Sequence, residues 1–207
     1  MDFTGYAART ERMLLRPYAL DDYDSFFDLH SRDDVSRYLP WQTRDEDAAR
    51  GALNRHQQLV IEVDDQGLTL AGIDRDSGRL VGEFVLILRS VEHRRGELGY
   101  VVHPDFQGRG LAVEGGRHML GIAFESLGLH RVIARIDARN AASAGVLTRL
   151  GLRHEAHLVQ NELFKGEWTD EDDFAMLRSE WESSRAAAVP PDGMPPDEMT
   201  TEEAGPT

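Results

Sequence analysis

Residues 100–113 read YVVHPDFQGRGLAV, and this stretch decides the fold of the 207-residue chain. Apolar residues up to Val102 predict a β-strand, and a turn with Gly108 and Gly110 then leads into a helix. The first N–H groups of a helix have no intrahelical partner, and the helix dipole makes that end positive. Because glycines let an oxyanion approach the backbone closely, the segment predicts a phosphate-binding turn, to which Arg109 adds a cation.

Two common phosphate-binding motifs do not fit this turn. The P-loop requires G-x-x-x-x-G-K-[ST], and the chain contains no Gly-Lys-Ser or Gly-Lys-Thr. The dinucleotide fingerprint G-x-G-x-x-G needs a third glycine for close helix–strand packing, and Val113 stands at that position. An ordinary strand-to-helix turn is the alternative that these residues leave open.

Composition narrows the class of protein. Hydrophobic residues make up 41% of the chain, enough for a packed core, and the absence of cysteine excludes disulfides, Cys-ligated metals and thiol catalysis. No apolar run reaches the roughly 20 residues of a membrane span, and the N-terminus lacks the pattern of a signal peptide. We therefore expect a cytoplasmic protein with no membrane partner. The net charge of −14 disfavours nucleic acid and favours cationic partners such as polyamines, aminoglycosides and protein amines.

The chain divides into a domain and a tail. Residues 186–207 contain Pro-Pro pairs and five acidic residues but no basic residue and almost no large apolar side chain. Such a segment buries too little surface to offset its ordering entropy. We predict one domain over residues 1–185 and a disordered, acidic, proline-rich tail over residues 186–207.

Hydrophobic periodicity in the domain alternates between strand and helix patterns. Strands are predicted at residues 13–16, 68–73, 80–88, 97–103, 131–137, 153–164 and 172–177. Helices are predicted at about 22–30, 32–38, 43–56, 111–127 and 141–150, the third opening with a capping box from Thr43 to Glu46. This pattern predicts an α+β fold.

Several motifs, in their order and spacing, resemble those of the GCN5-related N-acetyltransferases, a family that binds acetyl-CoA. The resemblance covers about residues 9–181. It rests on Gln107-x-x-Gly110-x-Ala112, similar to the Q/R-x-x-G-x-G/A signature, and on residues 97–102 and 140–152. Residues 165–170 and 177–181 resemble the branch that acetylates the N-terminal alanine or serine of ribosomal proteins.

The resemblance implies a three-layer α/β/α arrangement with a mixed, strongly twisted sheet, in which two parallel strands splay apart around acetyl-CoA. The strand would offer backbone groups to the pantetheine arm, the glycine turn would hold the pyrophosphate, and an asparagine before the next helix would bind the arm. The implied cofactor contacts are Tyr100, Val101, Val102, Gln107, Gly108, Arg109, Gly110, Leu111, Ala112, Val113, Asn140 and Ser143.

Direct acetyl transfer to an amine needs a proton acceptor for the amine and a proton donor for the leaving thiolate. Alternation places Glu97 on the face of Val101, so Glu97 is a candidate catalytic or substrate-ordering carboxylate; an exposed strand-end residue is the alternative. Ser143 is the candidate acid by resemblance, and a helix-capping serine is the alternative. Many relatives carry a tyrosine acid where this chain has Leu147.

The acceptor has more than one candidate. Resemblance to the branch implies a protein N-terminal α-amine, while net acidity leaves a polyamine or an aminoglycoside open. A CoA-binding sensor without turnover is the alternative of a different class, and the protein is expected to be a monomer or a homodimer. Tyr38 and Trp41 are expected to shape the acceptor site. His154 and His157 lie three apart in a predicted strand, so we expect them to face opposite sides and to bind no metal.

Overall fold

The computed structural model of the protein describes residues 3–57 and 61–188. Its strands are β1 (Ala8–Arg9), β2 (Met13–Arg16), β3 (Gly67–Asp74), β4 (Leu80–Ser90), β5 (Arg95–Val102), β6 (Arg131–Asp137), β7 (Arg153–Phe164) and β8 (Glu167–Leu177). They form one sheet in the order β1-β2-β3-β4-β5-β6-β8-β7. Neighbouring strands are antiparallel except β5 and β6, which are parallel, so the sheet is mixed as predicted.

Helices cover both faces of this sheet. They are α1 (Tyr23–His30), α2 (Asp33–Ser36), α3 (Glu46–His56), α4 (Leu111–Gly121), α5 (Ala141–Leu150) and α6 (Arg178–Ala188). Phe26 of α1 and Leu53 of α3 belong to one buried apolar cluster, and Met119, Leu147 and Trp181 of α4, α5 and α6 belong to another. The two clusters lie on opposite faces of the sheet, which confirms the predicted three-layer α+β fold.

Strand β5 contacts both clusters because its side chains alternate. Leu98, Tyr100 and Val102 pack against the cluster of α4, α5 and α6, whereas Val101 packs against that of α1 and α3. This alternation agrees with the sequence pattern. The end of β5 therefore lies between the cluster of α4, α5 and α6 and the cluster of α1 and α3.

The capping box predicted at Thr43 is wrong. Helix α3 begins at Glu46, and its N-cap is Asp45, whose carboxylate accepts a hydrogen bond from the Ala48 N–H at 2.8 Å. A carboxylate at this position satisfies a free N–H group and lies at the positive end of the helix. The helix predicted at residues 32–38 is also shorter, because α2 covers only Asp33–Ser36.

The prediction that His154 and His157 face opposite sides is wrong as well. The pairing of β7 with β8 shifts register between His154 and Ala156, which adds a residue to β7 and changes the alternation. As a result both imidazoles reach the same oxygen, Oδ1 of Asp172, at 3.1 Å and 2.8 Å. This hydrogen bond raises the pKa of His157.

Helix α6 ends at Ala188, past the domain boundary predicted at residue 185. Residues 189–207, which include most of the predicted tail, lie outside the described residues. In the two described ranges, no helix has the length and apolar character needed to cross a membrane.

Candidate active site

The two parallel strands diverge in the middle of the sheet. Strands β5 and β6 pair at Arg95–Arg131, Gly96–Val132 and Glu97–Ile133. Beyond these pairs, β5 continues to Val102 and β6 to Asp137 with no further pairing between them. A cleft of about 430 Å³ lies beside the diverging strand ends. The splayed parallel strands implied by the resemblance are therefore present.

The edge of β5 that faces the gap carries backbone groups that do not pair with β6. The His103 N–H donates to the Val81 carbonyl on β4 at 2.8 Å, so the strand's alternation turns the backbone groups of Tyr100 and Val102 towards the gap. The Gln107 side-chain amide donates to the Val102 carbonyl at 3.0 Å and holds the following turn against the strand. Three strand residues line the cleft: Tyr100, Val101 and Val102.

The glycine turn connects β5 to α4 as predicted. Gly108 and Gly110 have φ angles of 75° and 79°, in the left-handed region that favours glycine. Both line the cleft, together with Leu111, Ala112 and Val113 at the start of α4. The N–H groups of this first helical turn have no intrahelical acceptor, and the positive end of the α4 dipole lies at the cleft. The arrangement fits the pyrophosphate of a nucleotide cosubstrate.

Two arginines hold the turn from outside the cleft. Arg12 donates from Nε to Glu114 Oε2 at 2.7 Å and from Nη1 to the Arg109 carbonyl. The Arg109 side chain folds back, donating to the Asp105 carbonyl at 3.1 Å and lying 5.0 Å from the centre of the Phe106 ring. Arg109 does not line the cleft, so the turn presents backbone there instead of the expected side-chain cation.

The N-terminus of α5 forms the opposite wall. Asn140 is the N-cap, and its Oδ1 accepts a hydrogen bond from the Ser143 N–H at 3.1 Å. The Ser143 Oγ lies 2.7 Å from the Tyr100 Oη, and the Tyr100 hydroxyl also donates to the Ser143 carbonyl at 3.2 Å. Burial raises the pKa of Tyr100 to about 12, so this residue keeps its proton at neutral pH. Asn140, Ser143 and Tyr100 all line the cleft.

Glu97 lies apart from the cleft. It sits in the part of β5 that is still paired with β6 and does not line the cleft. Its carboxylate accepts hydrogen bonds from Arg89 Nε at 2.7 Å and Arg135 Nη2 at 3.1 Å, and its side chain is 15% exposed. The structure therefore does not bring the predicted catalytic Glu97 together with Ser143.

The two predicted acceptor-site aromatic residues separate. Tyr38 lines the cleft. Trp41 does not; its ring stacks on His30 with centroids 4.7 Å apart, and the Arg44 guanidinium lies 5.0 Å from its centre. Trp41 thus packs against the apolar cluster of α1 and α3 rather than forming a wall of the cleft.

Sequence analysis missed several residues of the cleft: Asp34, Val35, Leu39, Phe106, Ala142, Val146 and Arg149. Val146 and Arg149 follow Ser143 at intervals of three along α5, so helical spacing from Ser143 was a usable signal. Asp34, Val35 and Leu39 lie in or just after α2, and nothing local in their sequence marks them as site residues. Arg149 therefore places a cationic side chain in the lining of the cleft, whereas Arg109 does not.

A buried polar cluster lies under Val101, on the α1 and α3 face of the sheet. Its centre is Glu83, which pairs with Val101 in the β4–β5 register. The Glu83 carboxylate accepts hydrogen bonds from His30 Nε2 at 3.2 Å and the Tyr18 hydroxyl at 3.3 Å, and His56 Nδ1 lies 3.8 Å away. Burial opposes ionisation of Glu83, but these neighbours outweigh it and hold its pKa below the ordinary value. Burial lowers the pKa of His56.

The sheet is mixed, its two parallel strands splay apart, and a glycine turn and a helix N-terminus lie at the gap. This arrangement defines an acyltransferase that takes a CoA thioester. Residues 12–153 match the family model of the acetyltransferase (GNAT) domain. The chain belongs to this family, the GCN5-related N-acetyltransferases, and is an acetyl-CoA-dependent N-acetyltransferase. Within residues 3–57 and 61–188, no group of three or more His, Asp or Glu side chains is arranged so that it could hold a metal ion.

Curated relatives differ in their acceptors. The chain is 29% identical to the uncharacterized N-acetyltransferase YnaD of Bacillus subtilis, over 83% of this chain and 97% of YnaD. It is 29% identical to YdaF of the same organism, named as a proposed ribosomal N-acetyltransferase, over 52% of this chain and 59% of YdaF. It is 25% identical to spermidine N(1)-acetyltransferase of Escherichia coli, over 44% of this chain and 49% of that enzyme.

Solved structures share the fold. A GNAT-family acetyltransferase from Bacillus anthracis superposes with a TM-score of 0.75 at 26% identity, covering 84% of this chain and 99% of that one. Spermidine N-acetyltransferase from Vibrio cholerae, solved with CoA and spermine, superposes with a TM-score of 0.71 at 22% identity, covering 83% and 98%. At this identity the second likeness shows the fold alone.

Proposed function

We propose that the protein acetylates the N-terminal α-amine of a protein or peptide. The acid–base groups of the cleft carry this proposal. Asp34 is the one carboxylate among the described residues that line the cleft. It is exposed, and hydrogen bonds from Arg32 at 3.0 Å to both of its oxygens lower its pKa. Because such a carboxylate is a weak base, the acceptor amine must lose its proton readily on its own.

An α-amine meets this requirement far better than an alkyl amine. Its pKa is about 7.7–8.0, compared with about 10.4 for a lysine-type amine. At pH 7.5, roughly one α-amine in three is therefore unprotonated, but only about one alkyl amine in a thousand. Water can accept the remaining proton of an α-amine, so a buried carboxylate base is not required.

Ser143 and Tyr100 serve the leaving group. Acetyl-CoA supplies the acetyl group, and as the amine nitrogen bonds to the carbonyl carbon the C–S bond breaks and the thiolate takes up a proton. The Ser143 hydroxyl supplies this proton, and Tyr100, at 2.7 Å, replenishes it. Position 147 is a leucine and therefore offers no hydroxyl. The backbone N–H groups at the free edge of β5 stabilise the oxyanion.

A polyamine is the second candidate acceptor, because the spermidine N(1)-acetyltransferase of Escherichia coli is among the relatives. The name of YdaF supports a ribosomal protein instead. The net charge of −14 attracts polyamines, aminoglycosides and protein amines alike, so charge does not choose among them. The two candidates differ in amine pKa, and an assay that varies the acceptor separates them.

A thiol-release assay with acetyl-CoA tests the proposal. The acceptors are peptides with free Ala, Ser or Thr N-termini, spermidine and an aminoglycoside, and the enzyme adds no thiol of its own because the chain contains no cysteine. We expect release with the peptides and at least about a tenfold lower kcat/KM with spermidine at pH 7.5, since so little of its amine is unprotonated. Faster turnover of spermidine, or turnover of an N-terminally blocked peptide carrying a lysine, would overturn the α-amine assignment.

A further inference from the structure

A second cavity of about 300 Å³ neighbours the cleft. We call it the outer cavity; it is lined by Arg37, Tyr38, Arg139, Phe164, Lys165 and Glu167. Tyr38 lines both spaces, and Arg139 directly precedes Asn140, which lines the cleft. The Lys165 Nζ donates to the Ser36 carbonyl at 2.6 Å, which ties the β7–β8 turn to α2. A molecule whose amine reaches the cleft can therefore extend into the outer cavity.

The charge of this cavity is opposite to that of the chain. The chain has 37 acidic and 23 basic residues, yet the cavity lining has three cations and one carboxylate. Glu167 is 78% exposed and lies 3.9 Å from Arg139, which is itself bound to Asp137 at 2.6 Å. Arg37 and Lys165 form no ion pair with any carboxylate of the described residues. Lys165 is also the only lysine of the chain.

Two cations without carboxylate partners beside a cleft favour an anion and disfavour a polycation. Arg37 lies over the Tyr38 ring, with its Cζ 5.1 Å from the ring centre, so its charge is held at the boundary between the two spaces. A polyamine extending from the cleft would meet these cations with its own positive charges. A peptide with acidic side chains after its N-terminus would meet them with opposite charges.

We propose that the outer cavity is an anion subsite of the acceptor site, which selects peptides with Asp or Glu in the positions that follow the N-terminal residue. Arg37 and Lys165 bind the carboxylates, and Tyr38 separates this subsite from the reacting amine. This inference rests on the proposed α-amine acceptor. It further specifies that the residues after the acceptor's N-terminal residue are negatively charged.

Binding to the CoA-saturated full-length protein tests the subsite separately from turnover. Calorimetric titrations use three peptides that differ only in residues two and three: Ser-Glu-Glu, Ser-Gln-Gln and Ser-Lys-Lys, each with the same neutral continuation. We expect the Glu peptide to bind about tenfold more tightly than the Lys peptide, because two exposed ion pairs each contribute a few-fold. Equal or tighter binding of the Lys peptide, or no binding of any peptide, would overturn the subsite.

Variants identify the cations responsible. Arg37→Gln and Lys165→Gln should each weaken binding of the Glu peptide by about three- to fivefold while leaving the Gln peptide unchanged. Lys165→Arg should retain the preference, and Arg117→Gln is the matched control because Arg117 is an exposed residue of α4 that does not line the outer cavity. A charge preference that survives both Gln substitutions refutes the assignment.

Thiol release with the same three peptides distinguishes the two proposals. If the Glu peptide binds with the expected preference but is not acetylated, the subsite stands and the α-amine acceptor fails. If all three peptides are acetylated at equal kcat/KM and bind equally, the α-amine acceptor stands and the subsite fails.

Discussion

The Tyr100 hydroxyl contacts Ser143 twice, at the side-chain oxygen and at the carbonyl. A lone serine hydroxyl in a cleft is a poor acid, but a second hydroxyl behind it polarises it and fixes its rotamer. With a pKa of about 12, Tyr100 stays protonated across the pH range of an assay. At the scale of single residues, the proposed mechanism therefore treats the two hydroxyls as one proton source.

Removing either hydroxyl tests this pair. We expect Ser143→Ala to lower kcat by about a hundredfold and Tyr100→Phe by about tenfold, since general acid catalysis contributes on this scale and Tyr100 acts through Ser143. The KM for acetyl-CoA should change little, because neither substitution alters the backbone that binds it. Steady-state kinetics with both substrates varied measures these effects.

Glu97→Gln is the control for the same measurement. The carboxylate lies between Arg89 and Arg135 and away from the cleft, so its loss should affect thermal stability more than kcat. A fall in kcat as large as that of Ser143→Ala would assign the proton-transfer role to Glu97. Unchanged kcat in Ser143→Ala would remove the hydroxyl pair from the mechanism.

At the scale of elements, the N-terminus of α4 depends on strand β2 as well as on its own glycines. Arg12, at the turn before β2, pairs with Glu114 of α4 and also hydrogen-bonds the Arg109 carbonyl. A Cβ at position 110 would lie 3.3 Å from the Arg12 guanidinium. The turn is thus fixed from outside, while its inner side lines the cleft.

Substitution of Gly108 tests whether this element binds the pyrophosphate. Gly108 lines the cleft with φ of 75°, a conformation that asparagine and aspartate tolerate better than most residues, and a Cβ there would have open space around it to 4 Å. Gly108→Asn therefore controls for the strain and the added bulk, and Gly108→Asp adds only a charge. We expect the Asp variant to bind acetyl-CoA at least about tenfold more weakly than the Asn variant, about 1.4 kcal/mol, because its carboxylate repels the pyrophosphate. Equal affinities in a calorimetric titration would place the phosphates elsewhere.

Local features of these elements could be predicted, and features set by distant contacts could not. The glycine turn, the alternation of β5 and the helix Ala141–Leu150 each depend on neighbours within a few residues, and each occurs as the sequence indicates. The Tyr100–Ser143 bond joins residues 43 positions apart. Arg109 folds onto Phe106 and Trp41 stacks on His30, contacts that no spacing rule encodes. The register shift in β7 likewise moves His154 and His157 together through pairing with β8.

At the scale of the whole molecule, the buried cluster around Glu83 joins elements that the chain order keeps apart. Glu83 belongs to β4, and its partners His30 and His56 end α1 and α3. His30 is also stacked between Phe26 and Trp41, so ionic and apolar contacts fix the same helices. Both helices pack on the face of the sheet that carries the Val101 side chain, so the cluster holds them against that face.

This cluster makes the stability of the whole fold depend on pH. Burial lowers the pKa of His56, so the folded state resists a proton that the unfolded chain accepts near pH 6.5. The pKa of Glu83 is also lowered, so its contribution is present above about pH 4.5 and is lost as the pH falls further. Both shifts have the same sign, and the free energy of unfolding should fall below about pH 6.5 by up to roughly 1.4 kcal/mol per pH unit for each proton taken up.

Urea unfolding between pH 7.5 and 5 measures how the free energy of unfolding depends on pH. The His56→Gln variant should show a flatter dependence below pH 6.5, because it lacks the imidazole whose pKa is lowered. His157→Gln is the matched control of opposite sign. Asp172 raises the pKa of the exposed His157, so its contribution is present below about pH 6.5 and disappears above its folded pKa. Removing the His157 contribution should steepen the decline of the free energy of unfolding towards acid pH. If His56→Gln leaves the slope unchanged, the acid sensitivity between pH 7.5 and 5 does not arise from His56.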